Sequence, residues 1–317
     1  VTKNISAQPG NLELNQVPMP VHPSKERVKA YLALGVISFL WGTTWIATRE
    51  GVKYMPALQL SGIRQLSGGS IFLIYFLIRN SIWPRPREWG IIFVLSLFNL
   101  FLTNGLTTLG VKYIPAGLAS IIAAIFPLWL VVLGIPYRSK IPSPALFGLF
   151  LGFGGICVIF YEHLKDWLNA DFRFGIGISL MASLTWALGT IFTKRQVRSF
   201  NPYFSLCLQM IISGVLLLLL ALFSGNWIPV NHVPMKSWMA IGYLVIFGSV
   251  MAFVAYLYAL QRLPTEQVSI YAYLNPVVAV MLGSIFFEEK FTLYMGVGGI
   301  ITLYGVFLVN RSFQKIK

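Results

Sequence analysis

Residues 88–134 read EWGIIFVLSLFNLFLTNGLTTLGVKYIPAGLASIIAAIFPLWLVVLG, and residues 237–283 read SWMAIGYLVIFGSVMAFVAYLYALQRLPTEQVSIYAYLNPVVAVMLG. The two stretches align at a constant offset of 149 without a gap, and 12 of the 47 positions are identical. Trp89/Trp238, Pro115/Pro264, Ser120/Ser269, Pro127/Pro276 and Gly134/Gly283 are among the matches. Apolar helices share Leu and Ile by chance, but matched Trp, Pro and Gly at fixed spacing point to an internal repeat. Working outward, Trp41–Thr48 (WGTTWIAT) matches Trp186–Thr193 (WALGTIFT) at an offset of 145, and a basic residue follows each, Arg49 and Lys194. The chain reads as two copies of one unit.

Composition says where such a chain lives. Of 317 residues, 56% are hydrophobic and 11% charged, with mean hydropathy +0.73. A soluble domain carries about 25% charged residues, so a water-soluble enzyme is excluded, and so is disorder. The two cysteines, Cys157 and Cys207, both lie in apolar runs, which excludes a disulfide scaffold or a cysteine-based zinc site. A spanning helix needs about 20 mostly apolar residues. Ten windows qualify: 29–48, 58–78, 90–109, 116–135, 144–161, 174–193, 203–223, 238–259, 267–287 and 292–310. Pro, Gly and charged residues punctuate the breaks. Residues 1–28 read as a disordered tail without the apolar stretch and cleavage site of a secretory signal, so the first span is expected to stay uncleaved.

The net charge of +14 resolves on this frame. One side carries 16 Lys and Arg, from Lys3, Lys25, Arg27 and Lys29 through Arg79, Arg85, Arg87, Arg138, Lys140, Lys194, Arg195, Arg198 and Arg262 to Arg311, Lys315 and Lys317. The other carries seven: Arg49, Lys53, Lys112, Lys165, Arg173, Lys236 and Lys290. The Lys/Arg excess marks the cytoplasmic side, so both termini are expected to be cytoplasmic, including the tail at 311–317. The positive balance is then a topological signal rather than a nucleic-acid patch.

Each copy holds five spans, 29–161 and 174–310. Five is odd, so the second copy enters the membrane from the opposite side. Inverted-topology repeats place a binding site near the bilayer midplane between the copies. The fold expected is therefore all-α integral membrane, with ten transmembrane helices as two inverted five-helix repeats around a central cavity. Taken together, Trp41–Thr48, Arg64, the run Tyr113-Ile-Pro-Ala-Gly-Leu-Ala-Ser120 leading to Pro127, and Leu274-Asn-Pro276 leading to Gly283-Ser-Ile-Phe-Phe-Glu-Glu289 resemble the drug/metabolite transporter superfamily, specifically its EamA-type members. The resemblance spans roughly residues 30–310. It implies a ten-helix basket around a central cavity, alternating access, and export of amino acids or related metabolites across a bacterial inner membrane. A non-transporting receptor or structural protein on the same scaffold is the alternative.

Helical projection selects candidate cavity residues. Trp41, Thr44, Trp45 and Thr48 share one face of span one; Trp186, Gly189, Thr190 and Thr193 share the matching face of span six. Asn99, Thr103 and Thr107 stack at i, i+4 and i+8, opposite Gly248, Ala252 and Tyr256 in the other copy. Tyr271 and Asn275 do the same in span nine. Polar groups at mid-depth need partners, so these faces should look inward, either lining a cavity or bridging helices. Arg64 is the one Asp, Glu, Lys or Arg well inside a span, where a charge costs about 2.5 kcal/mol or more. Two readings stand for it: it binds a substrate carboxylate, or it holds carbonyls at a helix end or pairs with Glu50. Pro127 and Pro276 sit at matched places and are candidate hinges. Gly148, Gly152, Gly296 and Gly299 permit close helix packing within one chain.

The three histidines, His22, His163 and His232, lie outside the spans and no carboxylate is buried in one. A metal site, a general acid–base pair and a carboxylate proton relay therefore lack their groups, with Glu266 the nearest carboxylate. Without a GxxxxGK[ST] loop, ATP is not expected to drive the protein. Catalytic residues, metal and cofactor are expected to be none. The expected partners are a small solute and the bilayer, with the chain a monomer or weak homodimer.

Overall fold

The computed structural model describes residues 24–134, 142–162, 168–196, 200–263, 268, 271–288 and 292–314. Expectations on the tail up to residue 23, on Arg138 and Lys140, on His163, Lys165 and Asp166, on Arg198, on Pro264, Glu266 and Ser269, on Glu289 and Lys290, and on residues 315–317 lie outside these residues.

Among the described residues the regular structure is all helical. The elements are α1 Ser24–Gly51, α2 Ala57–Ile78, α3 Pro86–Leu95, a π-helical turn Ser96–Leu102, α4 Thr103–Tyr113, α5 Ala116–Ala123, α6 Phe126–Gly134, α7 Ser143–Glu162, α8 Ala170–Gln196, α9 Pro202–Phe223, α10 Met235–Tyr243, a second π-helical stretch Leu244–Met251, α11 Ala252–Arg262, α12 Tyr271–Phe287 and α13 Leu293–Gln314. Six apolar helices are long enough to cross a membrane: Lys25–Gly51, Ala57–Ile78, Pro86–Tyr113, Ala170–Thr193, Pro202–Phe223 and Met235–Arg262. Four more apolar stretches are shorter, Ala116–Leu130, Ser143–Val158, Leu274–Phe287 and Leu293–Val309. Three of these lie in helices that continue past those bounds, α7, α12 and α13. The first helix starts at Ser24, so Ser24–Val28 are helical rather than tail.

The duplication is visible in the element boundaries. Helices α2 and α9 begin and end 145 residues apart, and the α3–π–α4 and α10–π–α11 rods begin and end 149 apart. Both rods pass through π geometry at their middle. Past α2, Asn80 turns the chain at φ 48°, and 145 residues on Gly225 does so at φ 69°. Asn and Gly are the residues that tolerate this left-handed conformation.

Helix pairings follow the same scheme. Helix α2 packs on α9, and α7 on α13; α1 packs on α11 and α12, while α8 packs on α4, α5 and α6. Glycine brings the backbones together: a Cβ on Gly62 would meet Leu218 Cγ at 2.8 Å, and one on Gly214 would meet the Leu66 amide at 2.6 Å.

The two prolines do not sit in the same local structure. Span four is broken into α5 and α6 by a turn at Ala124–Ile125, and Pro127 lies in the first turn of α6, where its missing N–H costs nothing. Pro276 lies inside the continuous helix α12. Beside it Asn275, in the amide orientation that satisfies its partners, donates to the carbonyls of Tyr271 (3.1 Å) and Ser38 (2.8 Å). That links the proline turn to α1. The matched residue in the other copy is Phe126, which has no group to do so.

Candidate functional site

A cavity of ≈150 Å³ lies among α1, α2, α4, α5, α8, α11 and α12, so both copies contribute to its wall. Of the candidates, Trp41, Thr44, Arg64, Thr103, Trp186, Tyr271 and Asn275 line it. Trp45, Thr48 and Thr107 join them.

Aromatic rings form one side. Trp41 lies 5.0 Å from Tyr271, 5.3 Å from Phe253 and 6.3 Å from Trp186, all edge-to-face, the arrangement favoured by ring quadrupoles. Its indole N–H donates to the Gly248 carbonyl at 3.2 Å. Trp186 donates its own to the Tyr271 hydroxyl at 3.2 Å, and Phe126 stacks on Tyr271 at 6.1 Å. Hydroxyl and amide groups form the rest. Thr44 Oγ1 donates to the Trp41 carbonyl at 2.6 Å, Thr103 Oγ1 shares a 3.0 Å bond with Thr185 Oγ1, and Thr108 Oγ1 donates to the Asn104 carbonyl at 2.7 Å.

Asn99, Thr190 and Tyr256 are among the candidates that lie elsewhere. Asn99 spends its amide on helix bridging, Nδ2 donating to Thr193 Oγ1 at 3.1 Å and Gln209 Oε1 at 3.2 Å. Thr190 bonds back to the Trp186 carbonyl at 2.8 Å within its own helix. Tyr256 packs behind the floor, 5.2 Å from Trp41, without lining the cavity. The cause for Asn99 is depth: it lies one turn before Thr103, level with Thr193 of α8 and Gln209 of α9, which take its amide. A π turn closes i to i+5, and Thr103 Oγ1 donates to the Phe98 carbonyl, five residues back, at 2.6 Å. After the π segment the cavity face is Thr103, Asn104, Thr107 and Thr108, and in the other copy Phe253, the residue matched to Asn104. Asn104, Thr108, Ser120, Ser183 and Phe253 were not selected from the sequence; a polar residue at mid-span was the available signal for Asn104.

Arg64 is buried, 8% exposed, and lines the cavity. Neither expected structural partner holds it. Glu50 pairs instead with Lys53 at 2.7 Å, and the residue that holds a helix end is Arg49. Its Nη1 donates to the carbonyls of Val111, Lys112 (3.1 Å) and Ile114 (3.4 Å) at the close of α4. Arg64 Nε donates to Ser249 Oγ at 3.0 Å.

Beyond the floor, α1 and α11 are tied at their far ends. Tyr258 donates its hydroxyl to Glu26 Oε2 at 2.7 Å, Arg262 Nε reaches the same oxygen at 3.3 Å, and Lys29 Nζ pairs with Oε1 at 2.8 Å. The Arg262 guanidinium lies 3.6 Å over the Tyr258 ring.

The model of the EamA-like transporter family matches residues 28–161 and again 173–311. An uncharacterised inner membrane transporter of Escherichia coli K12, YedA, is 28% identical over 254 residues, covering 80% of this chain and 81% of that protein. An uncharacterised transporter of Bacillus subtilis 168, YvbV, is 27% identical over 297 residues, covering 92% and 94%. A protein of solved crystal structure has the same fold at a TM-score of 0.64 and 16% identity, over 91% of this chain and 98% of that one.

Proposed function

The chain belongs to the EamA-like transporter family, and from that premise we propose that it is a secondary transporter of the bacterial inner membrane moving a small organic solute, an amino acid or related metabolite, by alternating access. Ten helices form two inverted five-helix repeats, 29–161 and 174–310, with both termini cytoplasmic and export as the direction. The observation that carries this reading is the cavity wall: Trp41, Thr44, Arg64 and Thr103 come from the first copy, Trp186, Phe253, Tyr271 and Asn275 from the second. A site between copies that tilt against each other is what alternating access requires. The paired packing of α1 on α11 and α12 and of α8 on α4, α5 and α6 supports the repeat.

In the orientation given by the loop charges, Thr48, Arg64, Thr108 and Ser120 lie on the outer half of their helices. The aromatic floor and the Glu26–Tyr258–Arg262 cluster lie toward the cytoplasm. The arrangement corresponds to a site closed from inside.

Counterflow in proteoliposomes tests the reading. Vesicles loaded with one of a panel of amino acids and nucleobases should take up the labelled solute faster than empty-lipid controls. No exchange across the panel would sink the reading for those solutes and favour a non-transporting receptor or structural protein.

A further inference from the structure

Arg64 carries a charge that no described residue neutralises. The ion pairs among the described residues are Lys29–Glu26, Lys53–Glu50 and Arg262–Glu26. Among the described residues no carboxylate lines the cavity. The single hydrogen bond of the guanidinium within the described residues is Nε to Ser249 Oγ, so both Nη groups are left without a partner there. A guanidinium has five donors in a planar fork, and a buried charge without a counter-charge is strongly unfavourable.

The duplicate position indicates what packing alone needs. At the 145 offset Arg64 corresponds to Gln209, and at the 149 offset Gly248 corresponds to Asn99. There a neutral amide pair, Asn99 Nδ2 to Gln209 Oε1 at 3.2 Å, is completed by Ser205 and Thr193. In the other copy the amide is replaced by an arginine and the asparagine by a glycine. A Cβ on Gly248 would meet Arg64 Nη2 at 3.1 Å and Thr44 Cγ2 at 2.7 Å. The glycine makes room for the guanidinium at the cavity wall, a place that its twin fills with neutral side chains.

We propose that Arg64 anchors the carboxylate of the transported solute, so that the site takes small anionic or zwitterionic carboxylic acids whose flat apolar part lies against Trp41, Trp186 and Phe253. The assignment rests on the transporter reading above and names the class of solute for that site. A carboxylate accepts two parallel N–H bonds from the free Nη edge, and it supplies the missing counter-charge. A neutral ester or amide of the same body supplies neither.

The test uses the full chain in liposomes and the fluorescence of the cavity tryptophans, Trp41, Trp45 and Trp186. The probes are 3-phenylpropionate, its methyl ester, phenylalanine and phenylalanine methyl ester, with chloride titrated separately into sulfate buffer. Both acids should give saturable shifts, and the esters should bind about ten- to a hundredfold more weakly, as for loss of a charged hydrogen-bonded pair. Arg64→Gln, which copies the twin position, should remove the difference between acid and ester, and Arg64→Lys should keep part of it. If Arg64→Gln fails to fold, the acid–ester comparison on the unaltered chain still decides. Equal binding of acids and esters, no saturable shift with either acid, an acid preference that survives Arg64→Gln, or a chloride response to which the acids add nothing would each overturn the proposal. Counterflow on the same vesicles separates the two readings. Acid-selective binding without exchange would leave the anchor and sink transport. Equal exchange of acids and esters, unchanged by Arg64→Gln, would leave transport and sink the anchor.

Discussion

Trp186 donates its indole N–H to the Tyr271 hydroxyl at 3.2 Å, so the cavity floor is fastened by one hydrogen bond between α8 and α12. The rings around it are held independently: Tyr271 stacks on Phe126 and meets Trp41 edge-on. Tyr271→Phe removes the hydroxyl while leaving those ring contacts, and should lower stability by only about 1 kcal/mol. It should change the rate or selectivity of solute exchange at unchanged yield of folded protein. Trp186→Ala removes the wall itself and should alter selectivity further. Unfolding in detergent beside counterflow is the measurement, and loss of folded protein in Tyr271→Phe would assign the pair to packing instead.

The Glu26 carboxylate receives Tyr258, Arg262 and Lys29 at the exposed end of the α1–α11 seam. It also stands in the first turn of α1, where a negative charge is favoured by the helix dipole. Glu26→Gln removes the charge from all three partners together. Stability should change little, because exposed pairs contribute weakly, but the cytoplasmic end should open more often. A cysteine in place of the buried Ala259, in the same seam, reports this: maleimide labelling should rise severalfold in Glu26→Gln over the cysteine parent. Equal labelling rates would show that the cluster does not hold the seam.

How far the sequence was legible depended on whether a helix face alone decides a residue's place. The duplication could be read because Trp41/Trp186, Pro127/Pro276 and Gly134/Gly283 are residue types that chance apolar matching does not repeat. The α8 and α12 faces could be read too, since Trp186, Tyr271 and Asn275 obey 3.6 residues per turn and line the cavity. Asn99 was misplaced because face does not fix depth: it lies one turn before Thr103, and its amide is taken by Thr193 and Gln209. No side-chain pattern announces where along a helix a cavity ends. Nor could the sequence tell that the chain breaks at Ala124–Ile125, before Pro127, but runs on through Pro276, beside which Asn275 reaches the Ser38 carbonyl of another helix.

Gln65 is fully buried and, among the described residues, neither end of its amide has a hydrogen-bond partner; the Ser61 hydroxyl, one turn earlier on α2, is likewise unpartnered there. Buried polar atoms left unpaired cost about 1–3 kcal/mol each. Gln65→Met, which keeps the shape and discards the amide, should therefore raise stability or leave it unchanged in thermal unfolding. A clear drop would mean that the amide is paired in a conformation the molecule visits.

Orientation is testable at the exposed turn Val230–His232, between α9 and α10. The loop-charge assignment puts it outside. A cysteine replacing Asn231, with Cys157 and Cys207 removed, should react with a membrane-impermeant maleimide in intact cells. Reaction only after permeabilisation would invert the topology.

The α7–α13 seam is closed by glycine on both sides. A Cβ on Gly148 would meet the Gly305 carbonyl at 2.6 Å, and one on Gly305 would meet the Gly148 carbonyl at 2.6 Å and the Gly152 amide. On the same seam a Cβ on Gly155 would meet the Gly298 carbonyl at 2.6 Å. Gly148 and Gly152 thus both approach Gly305 across the seam. These neighbours are backbone atoms on packed helices and cannot rotate away, so a methyl group must separate the helices. Gly305→Ala should cost about 1–3 kcal/mol, the usual penalty for overpacking. Gly154→Ala on the same helix α7, where nothing lies within 4 Å of the added carbon, should be neutral and serves as the control. Thermal unfolding of the two variants in detergent gives the comparison. Equal midpoints would mean that the helices do not approach this closely. A change in oligomeric state instead of stability would move the glycine stripe to a surface between two copies of the chain.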